Sequence, residues 1–103
     1  QVVVSRPRPG ITRGNHYHHT KVEKFLVVEG EAVIRFRHIE GENVIEYLVR
    51  GNDFRVVDIP PGYTHSIENV GKGELVTLFW ADEIFDPERA DTYFLPVIEE
   101  EMK

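Results

Sequence analysis

Short runs of β-branched and aromatic residues recur along the chain, separated by turns rich in Gly, Pro and Asn. The runs are FLVVEG, AVIRFRHI, VIEYLV, FRVVDI, HSIENV and ELVTLFW. Such runs, with turn residues between them at roughly ten-residue intervals, are typical of an all-β sandwich or barrel. Long helical periodicity is absent from the sequence. We therefore predict an all-β fold.

The alternation of residues in AVIRFRHI predicts which side chains face the interior, because neighbouring side chains on a strand point to opposite faces. The predicted inward positions are Ala32, Ile34, Phe36 and His38. The predicted outward positions are Val33, Arg35, Arg37 and Ile39. Arg35 and Arg37 then either keep an outer face in water or bind a substrate diphosphate through bidentate hydrogen bonds.

The segment DEIFDPERADTYF departs from the strand pattern. Pro87 suits the first position of a helix and Asp86 suits its cap, so the segment predicts a short helical turn. Tyr93 and Phe94 end this segment. We expect these two aromatic residues to hold the C-terminal segment against the sheet.

Length and composition fit one domain and narrow its chemistry. The 103 residues suffice for one hydrophobic core. Cysteine is absent, which excludes thiolate ligands and is compatible with a cytoplasmic protein. The net charge of −6 argues against a nucleic-acid partner, since phosphate backbones attract positive surfaces. No apolar stretch approaches the ~20 residues that span a bilayer, so we expect no membrane association.

Three of the five histidines lie within four residues, in the stretch GNHYHHTKVEKFLVVEG. On a strand, the spacing of His16 and His18 puts both side chains on one face. Glu23 follows beyond a bend, and His65 opens the strand after the rigid PPG turn. A closed β-structure would bring imidazoles and a carboxylate together. That donor set suits Zn, Fe, Mn, Ni or Cu, with positions left open for water or substrate.

These residues fit two motifs of a known family, the cupins. The first motif, G-x5-H-x-H-x4-E-x6-G, matches Gly10, His16, His18, Glu23 and Gly30. The second motif, P-x-G-x-x-H-x-x-x-N, matches Pro60, Gly62, His65 and Asn69. One position departs from the family pattern, since the glycine expected six residues before Pro60 is Phe54. That position belongs to a turn and carries no ligand.

The cupin resemblance implies an RmlC-like fold, a double-stranded jelly-roll barrel formed by residues 1–103 as a single domain. It also implies a divalent metal. The implied ligands are His16, His18, Glu23 and His65.

A narrower resemblance extends over GITRGNHYHHTKVEKFLVVEGEAVIRFRH, VVDIPPGYTHSIENVG and LFWADEIFDPERADTYF. These stretches look like the C-terminal cupin domain of CapF-type bifunctional capsular-polysaccharide enzymes. In that family, an N-terminal domain reduces a keto sugar with NADPH, and the zinc-carrying cupin domain epimerises a UDP-linked 4-keto sugar at C3. The resemblance implies a UDP-sugar substrate, a zinc ion and an NADPH-dependent reductase, fused or separate, that acts afterwards. The start at Gln1 fits a C-terminal domain cut from a longer chain.

Epimerisation beside a ketone needs a group that stabilises the enolate, a base that removes the proton and a group that returns one. A divalent metal suits the first task. Our candidates for proton transfer are Tyr63 near the rim, His38 on the inward face and Lys21 in the bend. His19 and a metal-bound water are further candidates.

Two other functions fit the same residues. A His and Glu site with open positions also suits an Fe(II) dioxygenase, and a cupin barrel also serves as a non-enzymatic module that binds a small ligand. We expect a homodimer in each case, because small jelly rolls leave sheet edges that need cover.

Overall fold

The computed structural model describes residues 2–81 and 92–98. Within these ranges nine strands follow one another: β1 (Val2–Ser5), β2 (Thr12–Tyr17), β3 (Glu23–Glu29), β4 (Glu31–His38), β5 (Ile45–Arg50), β6 (Val56–Ile59), β7 (Tyr63–Asn69), β8 (Val76–Ala81) and β9 (Tyr93–Phe94). A short 3-10 turn, Gly51–Asp53, follows β5. Within the described ranges, no helix is long and apolar enough to cross a membrane.

The strands form two antiparallel sheets that face each other. The first sheet has the order β1-β8-β3-β6, and the second has the order β5-β4-β7-β2-β9. The chain crosses from one sheet to the other at most connections, as in a jelly roll. The predicted all-β jelly-roll fold is therefore confirmed.

The hydrophobic core lies between the two sheets. Its buried members are Phe25, Val27, Ala32, Ile34, Phe36, Val49, Val57, Ile59, Ile67 and Leu75. The inward positions predicted for Ala32, Ile34 and Phe36 are confirmed by this burial.

The expectation that His38 lies inside the barrel is wrong, because its side chain is exposed. His38 is the last residue of β4, and its ring packs edge-on against Tyr63 with ring centroids 5.3 Å apart. The alternation assigned the side chain to the same face as Phe36. The inner face of β4, however, ends before His38, so the His38 side chain lies outside the barrel.

The expectation that Arg37 points out to solvent or to a ligand is also wrong. Its guanidinium is buried and donates to the carbonyl oxygens of Val97 (3.1 Å), Pro96 (3.1 Å) and Gly41 (2.9 Å). The C-terminal segment covers the outer face of β4 at this position. Arg37 therefore fastens that segment to the sheet.

The C-terminal segment is also held by strand pairing. β9 pairs with β2, with His16 opposite Phe94 and Tyr17 opposite Tyr93. The expected contact with the sheet is confirmed for Tyr93, whose ring stacks on that of Tyr17 at 5.3 Å, whereas Phe94 is 70% exposed and pairs through its backbone. The predicted helical turn at Asp86 and Pro87 lies outside the described residues.

Phe54 occupies a turn in a conformation that glycine adopts most easily. Its φ of 50° and ψ of 41° lie in the left-handed region, and its side chain is 79% exposed. A side chain in this region clashes with its own backbone, at a cost of roughly 1–2 kcal/mol. The departure from the cupin motif therefore falls at a turn position, as expected, and leaves local strain there.

We expect Phe54→Gly to raise the free energy of unfolding by about 1 kcal/mol. The strain of roughly 1–2 kcal/mol is relieved, and part of the gain is lost to the greater freedom of glycine in the unfolded chain. Urea unfolding measures the change. Phe54→Ala is the matched control, since alanine keeps the unfavourable φ. An equal gain in both variants would show that strain is not the cause.

Candidate metal centre

A β-bulge in β2 turns His16 toward the interior. Gly14 pairs with Ser66 and His16 pairs with His65, so Asn15 is an extra residue between two pairs. Gly14 and Asn15 both have positive φ, 106° and 62°. A bulge redirects the side chains that follow it. Without this one, Asn15 would lie opposite His65 and His16 would face outward.

Gly14 is required at the bulge for space as well as for its φ. A Cβ atom there would lie 2.8 Å from the carbonyl oxygen of His65. Gly14 and Asn15 are not among the site residues predicted from the sequence. A Gly-Asn pair next to a predicted strand is itself a sign of a bulge, because glycine and asparagine are the residues that most readily adopt positive φ.

Three of the four predicted ligands converge. Nε2 of His18 lies 2.6 Å from Oε1 of Glu23, and Nε2 of His65 lies 3.2 Å from Oε2 of Glu23. One ligand atom from each residue lies within 4.8 Å of the others. All three side chains are at least 85% buried, with exposures of 5%, 15% and 3%.

Separate backbone elements deliver these side chains. Glu23 begins the central strand β3, where it lies between Ile59 of β6 and Ala81 of β8. His18 follows the end of β2, and its carbonyl accepts a 2.7 Å hydrogen bond from the backbone N–H of Gly62. That bond ties the segment after β2 to the PPG turn before β7, and so fixes His18 close to His65.

The orientation of His65 fits a metal ligand. Nδ1 lies 3.3 Å from the carbonyl oxygen of Tyr63, which can only accept a hydrogen bond. When the proton is on Nδ1, the lone pair of Nε2 faces the Glu23 carboxylate and can bind a cation held there. When the proton is on Nε2, the ring donates to that carboxylate instead. A backbone partner on the far ring nitrogen is also usual for metal-binding histidines.

The protonation states also fit a cation. Burial raises the pKa of Glu23, but hydrogen bonds from His18 and His65 outweigh it and hold this pKa well below its usual range. Burial and the neighbouring His65 lower the pKa of His16, although Glu23 acts in the opposite direction. At neutral pH the carboxylate is ionised and His16 is neutral, the forms that bind metal.

The cluster lies in the wall of a cavity of about 350 Å³ between the two sheets. Glu23, His65 and His16 line it, together with apolar side chains such as Phe25 and Phe79. His16 stands apart from the cluster, with its ring centroid 6.5 Å from that of His65. Its role as a fourth ligand stays a prediction.

Arg13 is a cavity residue that the sequence analysis missed. It pairs with the inward-facing Ile67, lines the cavity and is exposed to solvent. Among the described residues, no carboxylate forms an ion pair with Arg13. The Gly14–Asn15 pair that indicates the bulge also points to Arg13, because Arg13 immediately precedes Gly14.

The other predicted site residues lie outside this cavity. Tyr63 lines a second cavity of about 480 Å³ between β5 and β6. His38 lies at the surface, and Lys21 is half-buried in the connection between β2 and β3. Arg35 is paired with Glu68 (2.7 Å) and with a second carboxylate on β5. Their catalytic and substrate-binding roles stay predictions.

The fold and the site agree with comparisons to known proteins. A family model described as "Polysaccharide biosynthesis C-terminal domain" matches residues 1–93. The chain belongs to this family. The predicted similarity to CapF-type domains is confirmed by solved CapF structures, and the RmlC-like fold is shared with solved epimerase structures.

Three relatives illustrate the range of similarity. CapF from Staphylococcus aureus is 60% identical, with a TM-score of 0.90, and the match covers 94% of this chain and 28% of CapF. A Pseudomonas aeruginosa protein named UDP-2-acetamido-2,6-beta-L-arabino-hexul-4-ose reductase is 48% identical over 85 residues, 82% of this chain and 23% of that protein. The dTDP-4-dehydrorhamnose 3,5-epimerase from Sulfolobus tokodaii shares the fold at 16% identity, with a TM-score of 0.77 over 91% of this chain and 56% of that one.

The chain therefore spans about a quarter of the length of its CapF and Pseudomonas relatives. The similarity to the Sulfolobus epimerase is evidence for the fold alone.

From the cluster geometry we expect the chain to bind one divalent cation through His18, Glu23 and His65. Glu23→Gln keeps the shape but removes the charge, and should weaken zinc binding at least about 100-fold. Competition with a chromogenic chelator measures the affinity. His38→Ala, outside the cluster, is the control and should bind as the unmodified chain does. Equal affinity in Glu23→Gln would contradict the site.

Proposed function

We propose that this chain is a metal-dependent C3-epimerase of a UDP-linked 4-keto-6-deoxy sugar in capsule or polysaccharide biosynthesis. The observation that carries the proposal is the buried Glu23 carboxylate between two imidazoles in the wall of a cavity. The family and the similarity to CapF support the pathway. The Pseudomonas relative supports the substrate class, since its name specifies a UDP-linked 2-acetamido hexul-4-ose, a sugar with a ketone at C4.

The two imidazoles and the carboxylate of His18, His65 and Glu23 fit a divalent cation, and we assign zinc to this site. When bound, such a cation supplies a Lewis acid that stabilises the developing enolate oxygen. The similar CapF structure with the inhibitor 3-isopropenyl-tropolone supports this assignment. A tropolone presents two adjacent oxygens, an arrangement that chelates hard and borderline cations.

The cavity residues have separate tasks in this proposal. The apolar walls at Phe25 and Phe79 exclude water from the reacting carbons. Arg13 at the mouth contacts the diphosphate, because its guanidinium has no ion-pair partner among the described residues. His16 lines the cavity without joining the cluster, so it joins Tyr63 and Lys21 as a candidate for proton transfer.

Deuterium exchange tests the reaction directly. The zinc-loaded chain, incubated in heavy water with a UDP-linked 4-keto-6-deoxy sugar, should exchange the C3 proton and leave the C5 proton in place. Proton NMR follows both signals. Glu23→Gln should slow the exchange at least about 100-fold, since the charge that holds the cation is removed.

Variants of the proton-transfer candidates complete the experiment. His16→Gln, Tyr63→Phe and Lys21→Met each remove one candidate, and Lys72→Gln, in the exposed turn between β7 and β8, is a control. Loss of exchange in one variant with unchanged zinc affinity identifies the proton-transfer residue. No exchange at C3 in the zinc-loaded chain would overturn the proposal, and ligand-dependent oxygen uptake by an iron-loaded chain would favour a dioxygenase.

A reductase step follows epimerisation in the proposed pathway. The product of C3 epimerisation still carries the C4 ketone, so its conversion to a stable sugar needs a hydride donor such as NADPH. The Pseudomonas relative is named a reductase, and this chain matches only 23% of it. We propose that the reductase is either fused to this domain or a separate protein.

We further propose that the chain forms a homodimer through the outer face of the first sheet. One apolar row crosses all four strands, because Val4 pairs with Leu78, Leu78 with Leu26, and Leu26 with Val56. Val4 and Val56 are 55% and 47% exposed. Patches of this kind on an antiparallel sheet mark interaction sites.

Charge favours a second copy as the occupant of this outer face. The chain carries a net charge of −6, so most faces of two copies repel each other. Beside the apolar row, Lys24 and Asp58 are paired at 2.8 Å and neutralise each other. Two copies can therefore meet here without bringing unpaired carboxylates together.

Val56→Glu should convert the dimer to a monomer in sedimentation velocity experiments, because it buries a charge within the contact. Leu48→Glu is the matched control, since Leu48 is also 47% exposed but lies on β5 of the other sheet. The same effect of both variants, or of neither, would contradict the assignment of this face.

A further inference from the structure

The C-terminal segment, residues 92–97, crosses the second sheet from β2 to β4. It begins beside β2, with which β9 pairs. It ends where the carbonyl groups of Pro96 and Val97, both buried residues, accept hydrogen bonds from the guanidinium of Arg37. Between these two ends, its hydrogen bonds to β2 and β7 fall on residues directly next to predicted metal ligands.

The first of these residues is Asn15, the extra residue of the bulge in β2. An extra residue has no partner on the opposite strand, so its polar groups need one elsewhere. The N–H of Leu95 donates to the Asn15 carbonyl at 2.8 Å, and the N–H of Val97 donates to Oδ1 of Asn15 at 3.1 Å. Because the bulge turns His16 toward the cavity, these two bonds also fix the direction of His16.

The segment makes similar contacts beside the other two predicted ligand histidines. Thr64, immediately before His65, is fully buried, and its Oγ1 donates to the carbonyl of Leu95. Thr92 lies at the other end of the segment, with its Oγ1 3.4 Å from Nδ1 of His18. A polar partner at the far nitrogen of a ligand imidazole orients the ring. One segment therefore supports all three histidines of the predicted ligand set.

Arg37 holds the end of this segment that is farther along the chain. Its side chain is 6% exposed, and it exchanges water for the carbonyl oxygens of Pro96 and Val97. Hydrogen bonds from an ionised donor are roughly twice as strong as neutral ones. Arg37 lies on β4 opposite Thr64 and is not one of the residues whose ligand atoms converge. Its influence on the cluster therefore passes through the segment that it holds.

We propose that Arg37 is a positioning residue for the metal centre, acting through the C-terminal segment on the bulge at Asn15 and on the ligand histidines. The inference rests on the proposed function for the metal itself. With the segment docked, the histidines have their binding directions before a cation arrives. With the segment detached, the cation must order them as it binds, and this requirement lowers its affinity.

Arg37→Met tests this role, because it removes every donor and keeps a long side chain. Loss of a group that orients metal ligands lowers affinity by roughly 10- to 100-fold. We therefore expect zinc affinity, measured by competition with a chelator, to fall at least about 10-fold. Arg37→Lys keeps one charged donor and should recover part of the loss.

Val49→Ala is the matched control for a general loss of stability. Val49 is fully buried in the apolar core on β5, so its truncation should lower the Tm and leave zinc affinity unchanged. Cobalt in place of zinc adds a spectroscopic readout, since visible absorption depends on the number and geometry of the ligands. At saturating cobalt, Arg37→Met should change this absorption and Val49→Ala should not.

Asn15→Gly tests the other end of the same path. Glycine keeps the positive φ and the backbone carbonyl, but the N–H of Val97 loses its side-chain acceptor. Zinc affinity should again fall about 10-fold. If both residues act through the segment, the double variant should lose little more than either single variant, whereas independent effects would multiply to about 100-fold.

An unchanged zinc affinity in Arg37→Met, or losses that multiply in the double variant, would overturn the inference. If Arg37→Met does not fold, an unchanged affinity in Asn15→Gly overturns it in the same way. The outcome is distinct from that of the epimerase test. C3 exchange by the unmodified chain, with zinc affinity independent of Arg37, would keep the reaction and remove the positioning role. Zinc affinity that depends on Arg37, without C3 exchange in the unmodified chain, would do the reverse.

Discussion

The buried Glu23 carboxylate is the constraint on which the rest of the structure depends. An ionised carboxylate loses several kcal/mol of hydration when it leaves water, unless nearby groups replace that hydration. Here the replacement comes from His18 and His65, at 2.6 and 3.2 Å. Because these residues follow β2 and lie in β7, while Glu23 begins β3, both sheets must close around one point.

Local backbone features make that closure specific. The bulge at Gly14 and Asn15 shifts the register of β2 against β7, so that His16 and His65 share the inner face. The hydrogen bond from Gly62 to the carbonyl of His18 joins the two motif segments. The bulge adds one residue to β2, and the hydrogen bond joins one pair of residues. Both determine side-chain direction more than they contribute to stability. A jelly roll without them would keep its core and lose the cluster.

Sequence predicted an all-β fold and the inner face of β4 from local spacing, and it predicted the jelly roll and a ligand set, of which three members converge, from the match to the two cupin motifs. It failed where the outcome depends on distant segments. His38 has the inward parity of Phe36, but the barrel ends before it. Arg37 has outward parity, yet the carbonyl groups that bury it belong to residues 59 and 60 positions later. Alternation assigns a face, whereas burial depends on what covers that face.

One part of the interior forms the apolar core and another part lines the cavity. The interior residues that the sequence did not identify line the cavity. The fully buried Ala32, Ile34 and Val49 lie on the adjacent strands β4 and β5 and form apolar core. Cavity residues such as Thr77 lie on β1, β2, β3, β7 and β8. From sequence alone, a threonine in a strand cannot be distinguished from any other residue that favours strands. Only the lack of a hydrogen-bond partner among the described residues distinguishes its hydroxyl from that of an ordinary core threonine.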